Sequence, residues 1–168
     1  MTKKYELVLD DTISFWGWKL FRIRALISFG SIEAGDLGGY IEKEDNLSHD
    51  GNAWVYGNAK VSGNAKVSGN AKVSGNAEVS GNAKVSGNAE VWGDAKVSEL
   101  GDIIVFKNHW SSGRHFTYTK SNKMWKAGCF YGTGQELIEK AYRDSEKSGN
   151  HYKAYVDFVE SLEKLNDQ

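Results

Sequence analysis

Alanine and valine recur every six residues through the middle of the chain. From Gly51 to Ser98 the sequence reads GNAWVY, GNAKVS, GNAKVS, GNAKVS, GNAEVS, GNAKVS, GNAEVW and GDAKVS. Within a hexad, alanine and valine share one face of an extended strand, while the residue between them faces the other way. Ser-Gly-Asn supplies a corner, because glycine and asparagine tolerate a positive φ. A period of six does not keep valine on one stripe of a helix, so the pattern predicts short strands separated by turns.

Stacking of the hexads gives a more specific prediction. Three hexads close one triangular coil of 18 residues, with alanine and valine inside. The repeat therefore predicts a short parallel β-helix over 51–98, in which residues 18 apart lie above one another at a spacing of about 4.8 Å. The outward positions then form three ladders: Lys60, Glu78 and Lys96; Trp54, Lys72 and Glu90; and Lys66 with Lys84. A flexible linker is the alternative, but a linker would not keep alanine and valine in strict register.

The unit Val-Ser-Gly-Asn-Ala-Lys resembles the motif of the hexapeptide-repeat, left-handed β-helix family. This resemblance implies left-handed coils, whereas the general crossover preference favours right-handed ones. It also implies a homotrimer, because members of the family commonly pack the flat faces of their coils together. Tyr56 and Trp92 replace the serine of other hexads and are the predicted oligomer contacts. The segment AGDLGGYIEKEDNLSHDGNAWVYGNA is similar to the lead-in of hexapeptide-repeat proteins from phage and prophage genomes, which implies a phage origin.

Different patterns flank the repeat and are expected to cover its open ends. Residues 1–50 contain the β-like runs KYELVLDD and KLFRIRALISF and then turn clusters, which predict a hairpin and an irregular cap coil. Residues 99–168 contain the aromatic runs IIVFKNHW, HFTYTK and KMWKAGCFYG, followed by two amphipathic segments. These predict a C-terminal β-β-β-α-α module. Thr133 and Glu136 form a capping box that opens its first helix, and Ser148-Gly149 is predicted to close that helix. The chain is thus predicted to be mainly β, in three parts: 1–50, 51–98 and 99–168.

Composition narrows the class of protein. The chain has 168 residues and a net charge of -1, so no overall charge draws it to nucleic acid or to a membrane. No apolar run approaches the roughly 18 residues of a membrane span, and the N-terminal segment lacks a signal-peptide core. The single cysteine, Cys129, excludes an internal disulfide and is expected to be a small buried residue. We therefore expect a protein without membrane contacts in the cytoplasm of an infected or lysogenic bacterium.

Charge is uneven in the C-terminal module. Residues 103–134 contain five basic residues and no carboxylate, interleaved with histidine and aromatic residues. This pattern is typical of a sheet that stacks bases and binds phosphate, or of one that recognises an acidic protein surface. In a third interpretation the aromatic residues pack on the helices while the lysines face solvent. The predicted partner-binding residues are Trp110, Arg114, His115, Lys120, Lys123, Trp125 and Lys126.

Catalytic chemistry has little support in the sequence. Acyltransferases of the hexapeptide-repeat family use a histidine base that projects from a coil, yet no histidine occurs from 50 to 100. His49 stands just before the regular coils and is the candidate base; the alternative is a loop histidine beside Asp50. His109 and His115 lack a third metal ligand nearby in the sequence. We expect no metal and no cofactor.

The sequence favours a non-enzymatic phage-type binding protein. In this interpretation a β-helix oligomer presents a C-terminal module that binds and inhibits or redirects a bacterial host protein, such as a component of a defence system. Two alternatives stay open. One is a divergent acyltransferase that uses His49 and acyl-coenzyme A, and the other is nucleic-acid or nucleotide binding through the basic aromatic sheet. Nucleic-acid binding would be steeply salt-dependent, because phosphate contacts release counterions.

Overall fold

A computed structural model describes residues 3–166. The fold is mainly β, as predicted: a parallel β-solenoid of 3 turns, a small N-terminal β cap, and a C-terminal sheet followed by two helices. Neither helix in this part of the chain is long and apolar enough to cross a membrane.

The N-terminal cap begins with a long hairpin. Strand β1 (Tyr5–Phe15) pairs antiparallel with β2 (Trp18–Ala25). The turn between them places Trp16 and Gly17 at φ 52 and 82, the two positive values that a tight hairpin turn requires. Strand β3 (Leu37–Ile41) then pairs antiparallel with β2, and a 3-10 helix follows at Glu44–Asn46.

Short strands build the solenoid, as the hexads predict. They are β4 (Trp54–Val55), β5 (Lys60–Val61), β6 (Lys66–Val67), β7 (Lys72–Val73), β8 (Glu78–Val79), β9 (Lys84–Val85), β10 (Glu90–Val91) and β11 (Lys96–Val97). The predicted 18-residue register is confirmed on all three faces, which pair as β5-β8-β11, β4-β7-β10 and β6-β9. The alanine and valine of every hexad point inward and are at most 1% exposed.

An irregular coil joins the cap to this repeat. Ile41 pairs with Val61, and Leu47 forms a bridge to Val67, so two aliphatic residues outside the hexads extend the inner core. Both side chains are buried, which satisfies the requirement that the first coil be covered.

The C-terminal module has one strand more than predicted. Its antiparallel sheet contains β12 (Ile103–Lys107), β13 (His115–Thr119), β14 (Met124–Ala127) and β15 (Phe130–Thr133). The run KMWKAGCFYG forms two strands because Gly128 adopts φ 58 and turns the chain back on itself.

Two helices follow, α1 (Gly134–Asp144) and α2 (Glu146–Asn166). The predicted capping box is present, since Thr133 Oγ1 accepts from the Glu136 amide at 3.2 Å. The predicted end of the first helix at Ser148-Gly149 is wrong. Helix α1 ends before Ser145, and Gly149 is buried inside α2, where a Cβ would lie 2.1 Å from the Tyr142 ring.

The two faces of the C-terminal sheet have different neighbours. Phe116, Tyr118 and Trp125 pack on α1 and α2. The opposite face meets the last coil, where the Glu90 amide donates to Thr117 Oγ1 at 3.0 Å and the Lys96 amide donates to Ser121 Oγ at 2.8 Å. The module therefore covers the C-terminal end of the solenoid.

Candidate functional site

A groove crosses the solenoid face formed by β4, β7 and β10. It consists of two adjoining cavities of about 440 and 380 Å³, which share Ser31, Tyr56, Lys72 and Glu90. The first cavity extends to the module residues Arg114 and His115, and the second extends to Trp92 and Lys126. We call this feature the solenoid groove. It is defined by Tyr56, Lys72, Glu90, Trp92, Arg114, His115 and Lys126.

The N-terminal loop closes one end of the solenoid groove. Trp54 occupies an outward position of the repeat, yet its side chain is only 1% exposed. The rings of Phe29 and Tyr5 pack on its indole, with centroids 5.3 and 6.2 Å away. Phe29 itself faces the first cavity, so this aromatic cluster forms an apolar end wall.

An asparagine ladder follows one corner of the coils into the module. Asn52, Asn70 and Asn88 are equivalent residues of successive turns, and all three line the first cavity. The Asn70 amide donates to Asn88 Oδ1 at 3.5 Å, and Asn88 Nδ2 lies 3.1 Å from Nδ1 of His115. The ladder thus ties β10 to the start of β13 and fixes His115 at the edge of the groove.

The opposite edge carries a charge pair on an aromatic platform. Lys126 Nζ lies 4.0 Å from Glu90 Oε2 and 5.0 Å from the centroid of the Trp92 ring. The Tyr131 ring packs edge-on against Trp92 at 5.1 Å. Trp92 therefore has an intrachain role, while its assignment as an oligomer contact stays a prediction.

The solenoid groove has an excess of positive charge. Within residues 3–166, neither Lys72 nor Arg114 has a carboxylate oxygen within 4.0 Å, whereas Glu90 is already engaged by Lys126. Both side chains are exposed. An anionic group entering the groove would meet two cations that have no carboxylate oxygen within 4.0 Å in the described chain, although Glu90 neighbours Lys72 in the β7–β10 register.

The structure brings some of the predicted partner-binding residues together and separates others. Arg114, His115 and Lys126 meet the predicted contacts Tyr56 and Trp92 in the groove. The signal available in the sequence was the 18-residue register, which put Lys72 and Glu90 on one face. Their proximity to Arg114 depends on how the module docks on the last coil, and no local pattern encodes that.

The remaining predicted residues lie elsewhere. Trp125 is 2% exposed in the module core, where it lines a cavity of about 480 Å³ together with Lys123, and its role in partner binding stays a prediction. Trp110 stacks on His151 of α2, with ring centroids 4.6 Å apart. Lys120 and Lys123 lie at the connection between β13 and β14, outside the groove. The basic residues therefore do not form one continuous surface.

His49 has the geometry of a structural histidine. Its Nδ1 accepts from the Lys4 amide at 3.1 Å, its Nε2 lies 3.1 Å from Glu44 Oε1, and its ring stacks on Tyr5. Burial raises the pKa of Glu44, but hydrogen bonds from Lys3 and His49 outweigh this effect and hold the pKa below its ordinary value. Because both ring nitrogens are engaged, neither is free to remove a proton from a substrate.

Other reactive groups do not gather into a site. Cys129, expected to be buried, is exposed at the turn between β14 and β15. Among residues 3–166, no three His, Cys, Asp or Glu side chains come together as a potential metal site.

No protein-family model matches the sequence, and no curated protein matches it. The fold, a parallel β-solenoid closed by an α/β module, defines the class of protein, and the solenoid groove is its candidate binding site.

Proposed function

We propose that the protein is a non-enzymatic binding protein that holds an acidic segment of a bacterial host protein in the solenoid groove. The observation that carries this proposal is the pair of cations, Lys72 and Arg114, that line one groove without a carboxylate partner in the described residues. Cations of this kind steer and select an acidic partner. Tyr56 and Trp92 add aromatic contact area of the type that dominates protein interfaces.

A protein segment suits the solenoid groove better than a nucleic acid does. Glu90 lines the groove beside Lys72 and would repel a phosphate backbone, whereas a peptide can place a neutral side chain there. The sheet face expected to bind bases is largely occupied, since it covers the last coil through Thr117 and Ser121.

The biological setting belongs to the same proposal. Binding would inhibit or redirect the host protein, which we infer to be a component such as part of a defence system. A phage origin, left-handed coils and a homotrimer rest on the resemblance of the hexads and of segment 34–59 to hexapeptide-repeat proteins, whereas a cytoplasmic location rests on the composition of the chain. The alternative acyltransferase, which would use His49, loses support because both nitrogens of that ring are engaged.

The test compares two charge-reversal variants of the tagged full-length protein. Lys72→Glu combined with Arg114→Glu alters the groove, and Lys66→Glu combined with Lys84→Glu alters the same hexad position on another face. Each is used to capture proteins from bacterial lysate with and without nuclease. We expect a stoichiometric host protein that survives nuclease, is lost with the groove variant and is retained by the control variant.

Three results would contradict this proposal. Capture by the groove variant would place the binding surface elsewhere. Loss of the captured material on nuclease treatment would favour nucleic-acid binding. An empty capture with a thermal shift on adding acetyl-coenzyme A would favour the acyltransferase.

A further inference from the structure

A separate cavity of about 330 Å³ lies within the C-terminal module. One wall is the loop 108–113 between β12 and β13, and the other is formed by α1 and the start of α2. The loop is fixed by two backbone hydrogen bonds, from the Asn108 amide to Arg114 O and from the Gly113 amide to Asn108 O, both 2.8 Å long. The cavity is therefore formed by well-anchored elements. Its size is in the range of small-molecule sites.

Asn108, one of the residues that line this cavity, has a buried acceptor without a hydrogen-bond partner in the described chain. Asn108 is 8% exposed, and its Oδ1 is fully buried and receives no hydrogen bond from residues 3–166. Leaving such a group unpaired is energetically costly, so a buried amide oxygen normally accepts a hydrogen bond. Asn108 thus supplies an unpaired acceptor next to the cavity.

Three serine hydroxyls supply hydrogen-bond donors at the same cavity. The Oγ atom of Ser112 accepts from the Arg114 amide at 3.2 Å, and that of Ser145 accepts from the Ser148 amide at 3.0 Å. The Oγ atom of Ser148 accepts from Trp110 Nε1 at 3.3 Å. Within the described chain none of these hydroxyls donates its own proton. Since a hydroxyl both accepts and donates, three donors remain for a ligand that is rich in acceptors.

Charge in the cavity is also positive overall. Arg114 lines it without a carboxylate partner in the described residues, and Lys140 is paired with Asp144 at 2.8 Å. The Tyr152 hydroxyl lies close to these groups. Burial raises the pKa of this hydroxyl, while a hydrogen bond with Asn108 and the charges of Lys140 and Arg114 oppose the rise. Two cations and one carboxylate leave a net positive site.

From the unpaired Asn108 oxygen, the three serine donors and the two cations, we propose that this module cavity binds a phosphate monoester of a hydroxylated small molecule, such as a sugar phosphate or a nucleoside monophosphate. The phosphate meets Arg114, Lys140 and the serine hydroxyls, and a ligand hydroxyl or amino group donates to Asn108. Charge-assisted hydrogen bonds of this kind are short and strong. The inference does not rest on the solenoid groove, although Arg114 borders both.

The test is isothermal titration of the full-length protein with glucose 6-phosphate, adenosine monophosphate, glucose and inorganic phosphate. We expect saturable binding of at least one of the two phosphate esters and no binding of glucose. Lys140→Met should weaken that binding about tenfold or more, because it removes a charged donor. Lys153→Met is the matched control. It breaks the same type of i,i+4 pair with an aspartate, on α2 and outside the cavity.

A second variant keeps the result interpretable. Asn108→Leu should abolish the preference for the ester over inorganic phosphate, and a thermal melt checks that each variant still folds. Lys72→Glu, a change in the groove only, should leave the titration unaltered. The proposal is overturned if neither ester binds at millimolar concentration. It is also overturned if Lys153→Met weakens binding as much as Lys140→Met does, or if Asn108→Leu leaves the preference for the ester intact.

Discussion

The backbone amide of Glu90 donates a 3.0 Å hydrogen bond to the hydroxyl of Thr117. One turn earlier, the equivalent amide of Lys72 donates to the carbonyl of Ala89 at 2.9 Å, as the repeat requires. The last coil has no successor, so a side chain of the module replaces the missing backbone acceptor. A solenoid of this length therefore depends on its C-terminal module for part of its hydrogen bonding.

Substitution of this threonine tests that dependence. Thr117→Val keeps the shape of the buried side chain but leaves the Glu90 amide unpaired, which should cost about 1–3 kcal/mol of unfolding free energy. Urea denaturation measures the loss, and hydrogen exchange should show faster exchange at the Glu90 amide. Thr119→Val is the control, because Thr119 lies on the same strand and its hydroxyl donates to Asn122 instead. Equal exchange at Glu90 in both variants would refute the capping role.

Two glycines of the repeat separate backbone strain from crowding between coils. Gly69 and Gly87 have φ of 66 and 61, so alanine at either position meets the left-handed penalty of about 1–2 kcal/mol. A Cβ on Gly69 would lie 2.9 Å from the Gly87 nitrogen, whereas a Cβ on Gly87 meets nothing within 4 Å. We expect Gly69→Ala to destabilise the protein more than Gly87→Ala in chemical denaturation. Equal losses of unfolding free energy in the two variants would show that the coils move apart freely to accommodate the added Cβ.

Cys129 gives a simple check on the turn that splits β14 from β15. Its exposure predicts that a thiol reagent labels the native protein about as fast as it labels the protein in denaturant. Labelling that requires denaturant would mean that the turn is covered, as a buried strand residue would be.

The solenoid could be predicted from the sequence because each hexad repeats the same local requirements. Alanine and valine specify the inside, glycine and asparagine specify the corner, and a period of 18 residues sets the register of Lys60 on Glu78. The capping box at Thr133 is equally local. Such features need no knowledge of distant parts of the chain.

The candidate site could not be predicted in the same way. The solenoid groove joins Lys72 of the repeat to Arg114 of the module, and only the docking of β13 on β10 brings them together. The basic neighbours of Trp125 predict that it binds a partner, but strand alternation alone does not say which face of a sheet meets the helices and which meets the last coil. Burial of Trp54 by Phe29 likewise depends on a loop outside the repeat.

Lys4 makes stability depend on pH in an unusual direction. Its ammonium is buried in the cap, where it donates to the Ala53 carbonyl at 2.7 Å, and burial lowers its pKa to about 8, opposed in part by Asp50. In the unfolded chain the pKa is about 10.4. Between these values the unfolded chain binds more protons than the folded protein, so stability rises as the pH increases from about 8 to about 10.4. The gain is at most about 3 kcal/mol, on the order of 1.4 kcal/mol per pKa unit.

The comparison with Lys4→Met isolates this contribution from those of other groups. Tyr5 acts in the opposite sense above about pH 10, because burial raises its pKa and the folded protein then holds a proton that the unfolded chain has lost. Both proteins contain Tyr5, so its effect largely cancels in the difference between their unfolding free energies. We expect the wild-type protein to gain stability relative to Lys4→Met from pH 8 to pH 10 in urea titrations. A difference that stays flat over this range would mean that the Lys4 ammonium is hydrated in solution.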